Sequence, residues 1–274
     1  MSGSVVSRWA AGTAVGLVAL SAFPLVWMLL ASLTPEARLF DSAALWRGPF
    51  VLDHYRALWS ERAFWVPIRN STVVAGTTTL FAVTIGGACA YGLARLRFRG
   101  RYALLAFVLA VSMFPQISLI APLYLLLRAA GLINSYPGLV LPYLTFAMPL
   151  TIWLLVGYFR QLPAELEEAA AMDGASRLRT LIEITAPLAW PGIATTAILT
   201  FVYCWNEFLF ALSFTLGPER HTVPVAIALF RGQYQVPWGQ ILAAAVVATV
   251  PVVLLVVLFQ RRIVQGLTTG ALKG

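Results

Sequence analysis

The chain is 274 residues long, 60% hydrophobic and only 11% charged, against roughly 45–50% apolar and about 25% charged residues in a soluble globular protein. One domain of that size has too few polar residues to cover so much apolar surface, so lipid has to be the solvent over much of the exterior, and a mean hydropathy of +0.82 agrees. A soluble enzyme, a disordered chain and a nucleic-acid reader are excluded; the net charge of +8, from 19 basic and 11 acidic residues, suits the cytoplasmic loops of a membrane protein and the anionic headgroups they face.

A helix needs about 20 mainly apolar residues to cross the hydrocarbon layer. Six segments qualify, at about 10–32, 72–94, 102–127, 138–158, 192–214 and 240–260, and they predict an all-α, polytopic chain organised as a single transmembrane domain over 1–274. Arg8 precedes a first apolar stretch too long for a signal peptide, and no small-residue cleavage site follows, so an uncleaved span is expected. The loop after it, from Leu33 to Ser71, carries Phe40, Trp46, Phe50, Tyr55, Trp59, Phe64 and Trp65. These suit either interfacial anchors or an external docking surface. The second span is followed by Arg95, Arg97, Arg99 and Arg101, four bases in seven residues, while Arg261 and Arg262 close the sixth. With six crossings these basic flanks and Arg8 fall on one side, which the positive-inside rule makes cytoplasmic, along with both termini. Pro24, Pro115, Pro122, Pro142, Pro149 and Pro251 remove backbone donors and invite kinks within the spans. Cys89 and Cys204 lie in apolar runs, with no spacing that forms a metal cluster or a disulfide framework.

The loop between the fourth and fifth expected spans, 159–191, is the one long internal connection. It reads Arg160-Gln161-Leu162-Pro163, then Ala164-Glu165-Leu166-Glu167-Glu168-Ala169-Ala170-Ala171-Met172-Asp173-Gly174. Proline suits the first turn of a helix, early carboxylates suit its dipole, alanine favours its middle, and Gly174 stands where a left-handed residue ends it. Ser176 is placed to cap a second helix running to about Ile184 and stopped by Pro187. The small side chains Ala169, Ala170 and Ala171 beside Leu166 and Met172, framed by carboxylates, fit insertion into a groove on a soluble partner. A helix resting on the headgroups is the other reading, and an anionic leaflet would repel its acidic residues.

Glu168-Ala169-Ala170, three residues, Gly174, nine residues, Ile184, one residue, Ala186-Pro187 resembles the EAA loop of ABC-importer permeases, E-A-A-x3-G-x9-I-x-L-P, departing only at Ala186. The tail from Gln260 to Gly274, the run Trp205-Asn206-Glu207-Phe208 and the run Met113-Phe114-Pro115 resemble the MalG type of carbohydrate permease over essentially the whole chain. The resemblance implies the type I ABC-importer permease fold with a cytoplasmic coupling helix, in a bacterial inner membrane. It implies four kinds of partner: a second, unlike permease subunit, a homodimeric ABC ATPase, an extracytoplasmic sugar-binding protein or lipoprotein, and membrane lipid. ATP and magnesium would bind on the ATPase. This chain has no G-x-x-x-x-G-K-[ST] phosphate loop and is expected to hold no cofactor, no metal and no catalytic residue. Coupling would be mechanical, through Glu167, Glu168, Ala169, Ala170, Met172, Asp173, Gly174 and Pro187. The segment Leu267–Gly274 would also reach the ATPase, and the cargo would be a disaccharide such as trehalose.

Substrate-pathway candidates follow from polarity at membrane depth. Glu207 is the one acidic residue well inside a span, where a carboxylate costs on the order of 2.5–3.5 kcal/mol on insertion scales, so it is expected to face an aqueous path or a partner. Asn206 can donate to and accept from sugar hydroxyls, Trp205 and Tyr203 offer ring faces, and Gln116 and Ser118 are placed to join them from the third span. An interhelical hydrogen bond is the plainer role for such residues. Two other classes also fit part of the pattern: an ion-coupled secondary transporter, whose folds usually show internal repeats absent here, and a membrane scaffold, which leaves Glu207 without a purpose.

Overall fold

The computed structural model describes residues 3–230 and 236–271, with side chains described for 11–230 and 236–260. The described residues form helices and the loops that join them, with no strand. In chain order the helices are α1 (Gly3–Ser32), α2 (Ser42–Arg47), α3 (Asp53–Ser60), α4 (Trp65–Arg95), α5 (Arg101–Ser112), α6 (Gln116–Ala129), α7 (Tyr136–Gln161), α8 (Glu165–Met172), α9 (Arg177–Thr180), α10 (Ala186–Leu188), α11 (Trp190–Trp205), α12 (Leu209–Phe214), α13 (Val223–Ala228) and α14 (Trp238–Ala271). A 3-10 turn, Glu36–Arg38, precedes α2, and a π-helical turn, Leu181–Thr185, joins α9 to α10.

The chain divides into two compact units. The first comprises Met1–Trp65 and Ile227–Val250. In it α1 exposes Val15, Leu17, Val18 and Leu20, each about two-thirds accessible or more, as a lipid-facing helix does. The connection after α1 folds into short helices tied by polar contacts. Glu36 accepts from the Trp238 and Gly239 amides at 2.9 and 2.8 Å, and the His54 ring bonds the Thr34 carbonyl at 2.9 Å. Phe64 is fully buried, edge-on to Phe230 at 5.9 Å, whereas Phe40, Trp46, Phe50, Trp59 and Trp65 stay exposed.

The second unit comprises Val66–Ala226 and Pro251–Gly274. Its core joins α4 to α7: Ala90, Tyr91 and Leu93 pack with Ile152, Leu155, Val156 and Phe159, and Tyr91 meets Phe159 edge-on at 6.1 Å. Helix α7 starts cleanly because Ser135 accepts from the Gly138 amide at 3.1 Å. Gly192 at the start of α11 lies so close to Tyr158 that a Cβ there would run into the ring.

Among the described residues four helical stretches are long and apolar enough to cross a membrane: Ala11–Ser32, Trp65–Arg95, Tyr136–Gln161 and Trp238–Gln260. Counting two sharply bent helix pairs as one span each gives up to six. The third expected span is bent, as its prolines suggested, and the fifth is bent as well. The third is α5 and α6, turned 91° at Met113-Phe114-Pro115. Pro115 cannot donate into a helix, and the residue before proline is pushed out of helical geometry. The fifth begins at α11, bent 82° from the helix before it, and breaks again at Asn206–Phe208 before α12. Pro187 also departs from expectation, since the helix continues through it to Leu188. Pro187 sits in the first turn of α10, where a proline is tolerated, and the helix ends one residue later, ahead of the 82° bend. Pro163 lies one residue ahead of Ala164, the N-cap of α8, rather than within the helix. Helix α14, which forms the sixth expected span, runs to Ala271, eleven residues past the expected end at 260, there being no proline to stop it. The expectation for Leu267–Gly274 as an ATPase contact concerns side chains outside the described residues.

Candidate functional site

Helix α8 begins with Glu165, Glu167 and Glu168 in its first turn, where the helix dipole favours negative charge. It ends in a Schellman turn: the Gly174 amide donates to Ala171 O at 3.1 Å and the Ala175 amide to Ala170 O at 2.9 Å, with Gly174 at φ +78°. That conformation is easy for glycine and costly for residues with a Cβ. Ser176 then caps α9, its Oγ accepting from the Arg179 amide at 3.3 Å. Arg179 pairs with Glu183 at 2.8 Å, and that carboxylate raises the guanidinium's pKa.

The structure sorts the expected coupling residues into two groups. Glu168, Ala169, Met172, Asp173, Gly174 and Pro187 are exposed, Met172 to 89%. Glu167 and Ala170, one turn apart, face inward at 7% and 6%. The Glu167 carboxylate lies 3.0 Å from Arg95 Nε and accepts from Tyr91 Oη and Thr185 Oγ1, each at 3.2 Å. Arg95 Nη2 also donates to the Leu162 carbonyl at 2.7 Å. Sequence reasoning assigned Arg95 to the topology signal and passed over Tyr91 and Thr185. The i,i+4 spacing of Tyr91 and Arg95 at the end of a span was the available sign.

The second constellation lies at the breaks. A cavity of about 450 Å³ is lined by Gln116, Val202, Tyr203, Asn206, Glu207, Phe208 and Leu209. Gln116 Nε2 donates to Tyr203 Oη at 2.7 Å, bridging the start of α6 to α11. Asn206 is exposed and donates to Val202 O at 2.8 Å. Glu207 contributes to the wall but is 9% exposed, because its two oxygens accept from the Phe210 and Ala211 amides at 2.8 and 3.1 Å. Those are donors that the start of α12 would otherwise leave orphaned. Trp205 does not join the lining; it is 3% exposed and stacks on Phe201 at 5.7 Å. Ser118, on α6, is exposed outside the cavity lining. The amides and the phenol offer both donors and acceptors to a hydroxyl-rich ligand.

A third polar cluster gathers at the opposite end of α4. Asn70 Nδ2 donates to the Glu219 and His221 carbonyls at 2.9 Å each, Tyr136 Oη donates to Asn70 Oδ1 at 2.8 Å, and Ser71 Oγ accepts from the Val223 amide at 2.8 Å. Asn134, at φ +59°, donates to Glu219 Oε1 at 2.7 Å and accepts from the Leu216 amide at 3.0 Å. The bond from Asn134 holds the Glu219 carboxyl below its usual range, and burial lowers His221. Among the described residues no group of three or more His, Cys, Asp or Glu is placed to hold a metal ion.

Residues 82–269 match the family described as the binding-protein-dependent transport system inner membrane component. The chain is 43% identical over 255 residues to the trehalose/maltose transport system permease protein MalG of Thermococcus litoralis, covering 92% of this chain and 91% of that protein. It is 43% identical over 260 residues to the trehalose transport system permease protein SugB of Mycobacterium tuberculosis, covering 94% of each. Its fold is similar, at a TM-score of 0.80 and 20% identity over 95% of this chain and 98% of the other, to a chain in the crystal structure of a bacterial ABC transporter involved in import of the acidic polysaccharide alginate.

Proposed function

The chain belongs to the family of binding-protein-dependent transport system inner membrane components, and we propose that it is one of two unlike permease subunits of an ATP-driven sugar importer. In this reading α8 and its glycine turn seat in a groove of a homodimeric ATPase, an extracytoplasmic binding protein delivers the sugar, and both termini are cytoplasmic. The observation that carries it is the surface of α8. Glu168, Ala169, Met172 and Asp173 are exposed on and at the end of a helix that is closed by the Gly174 turn and carries the EAA pattern between membrane spans. ATP binding closes the motor, the seated helix moves with it, and the attached spans reorient the cavity. The free energy enters as the preference of ATP for one of the two states.

Gln116, Tyr203 and Asn206 line the path that a disaccharide such as trehalose follows, and Glu207 shapes that path by fixing α12. An ion-coupled mechanism would need a carboxylate free to exchange a proton in the membrane. The Glu207 oxygens are instead engaged by two backbone amides. The test is purification with the co-encoded subunits, followed by ATPase assays with and without sugar-loaded binding protein. Stimulation is expected, and trehalose is expected to raise the melting temperature of the binding protein. Uptake driven by a proton gradient with no stimulation overturns the reading.

A further inference from the structure

We propose that Glu167 is a positioning residue that fastens α8 to α4, so that α4 carries the movement of the coupling helix across the membrane; this rests on the docking role given to α8 above. Glu165, Glu168, Asp173 and Glu183 of the loop are exposed, and Glu167 alone among its described carboxylates is withdrawn. A buried carboxylate is costly unless it is paired and hydrogen-bonded. Here Arg95 and Thr185 approach one oxygen and Tyr91 the other, at 3.0 to 3.2 Å.

The positions of those three partners give the contact its consequence. Tyr91 and Arg95 occupy the last two turns of α4, and Thr185 closes the π turn beyond α9. Arg95 also holds the Leu162 carbonyl, where the chain leaves α7 for α8. A single guanidinium–carboxylate pair thus ties the entry, the helix and the exit of the loop to one end of α4. The other inward residue of α8, Ala170, has only a methyl group and gives no directional hold.

The far end of α4 is fastened as well, through Asn70 and Ser71 to the backbone of residues 219, 221 and 223. From Asn70 to Arg95 the helix contains no proline and extends about 38 Å at 1.5 Å per residue. A rigid element clamped at both ends transmits displacement, because packed interiors deform little. Movement of α8 therefore reaches loop 215–223 without passing through either broken span.

The test uses the assembled transporter and reads sugar moved per ATP hydrolysed. Glu167→Gln is expected to lower that ratio at least fivefold while the subunits still co-purify. Tyr91→Phe and Thr185→Val, each removing one hydrogen bond, are expected to lower it about twofold. An unchanged ratio in Glu167→Gln overturns the proposal; where that variant fails to assemble, unchanged ratios in both gentler variants overturn it. A crosslinker at Met172 keeps the two readings apart. Capture of the ATPase together with an unchanged ratio removes the clamp alone, and no capture in the otherwise unaltered protein removes the docking role beneath it.

Discussion

Glu207 looks, in the sequence, like a group waiting for a ligand, because an acidic side chain in a span demands a reason. The structure supplies the reason as the two amides at the start of α12. Truncation to alanine orphans those donors, so Glu207→Ala is expected to destabilise by about 1 kcal/mol, a fall in melting temperature of roughly 2–4 °C for a chain of this size. Uptake is expected to drop with it while the ATPase still co-purifies, and Glu207→Gln, which retains an acceptor, is expected to lose less of both. At the α4 terminus, His221 and Glu219 both have depressed folded-state pKa values. Each contributes stability that is present above its unfolded pKa and lost as pH falls through the folded one. Loop 215–223 is therefore expected to loosen first below about pH 6.5 and further below the ordinary carboxylate range. His221→Gln is expected to remove the upper part of that dependence, read as melting temperature against pH. Residue types in the spans announced where polar chemistry would be, but not which atoms they would satisfy. Neither the amides that claim Glu207 nor the Arg95–Glu167 contact, 72 positions apart, leaves a local pattern in the sequence.

Elements were legible where one local rule acts alone. The Gly174 turn is the clearest case: φ +78° and two Schellman bonds stand where the glycine and the following Ser176 cap indicated. Gly174→Ala places a Cβ in left-handed backbone at a cost of roughly 1–2 kcal/mol. It is expected to reduce transport several-fold with insertion unchanged. Gly174→Pro is expected to abolish transport, since it also removes the amide that binds Ala171 O; uptake assays on matched membrane yields check both. Elements were illegible where two rules compete. In a stretch such as 102–127 Pro115 announces a kink, but hydropathy reads the stretch as one span and gives no sign that the bend reaches 91°. At Pro187 the helix runs one residue further, to Leu188, before the 82° bend, because the proline stands in the first turn of α10.

For the whole molecule, composition alone required lipid as solvent, and the exposed apolar face of α1 meets that requirement. What composition does not encode is the division into two compact units with the polar attachments inside each. Those attachments join residues as far apart as Glu36 and Gly239, and only the finished chain path brings them together. The proposed orientation makes a direct prediction. In membranes carrying the permease subunits without the ATPase, a cysteine at Met172 is expected to react with an impermeant thiol reagent in inverted vesicles and not in intact cells, and a cysteine at Phe40, 86% exposed, is expected to show the reverse. The same accessibility at both positions from one side would refute the topology.

The interruptions at Met113–Pro115 and Asn206–Phe208 also bear on how such a permease diversifies. Irregular backbone at membrane depth persists only where it is buried in protein or lines a water-filled cavity, and here the second of these stretches forms part of a cavity wall. The side chains at 116, 203 and 206 line that cavity and lie outside the α4–α7 core. If they line the sugar path as proposed, grafting those three positions between relatives is expected to redirect which sugar is carried on an unaltered frame, and uptake assays with a panel of sugars check it.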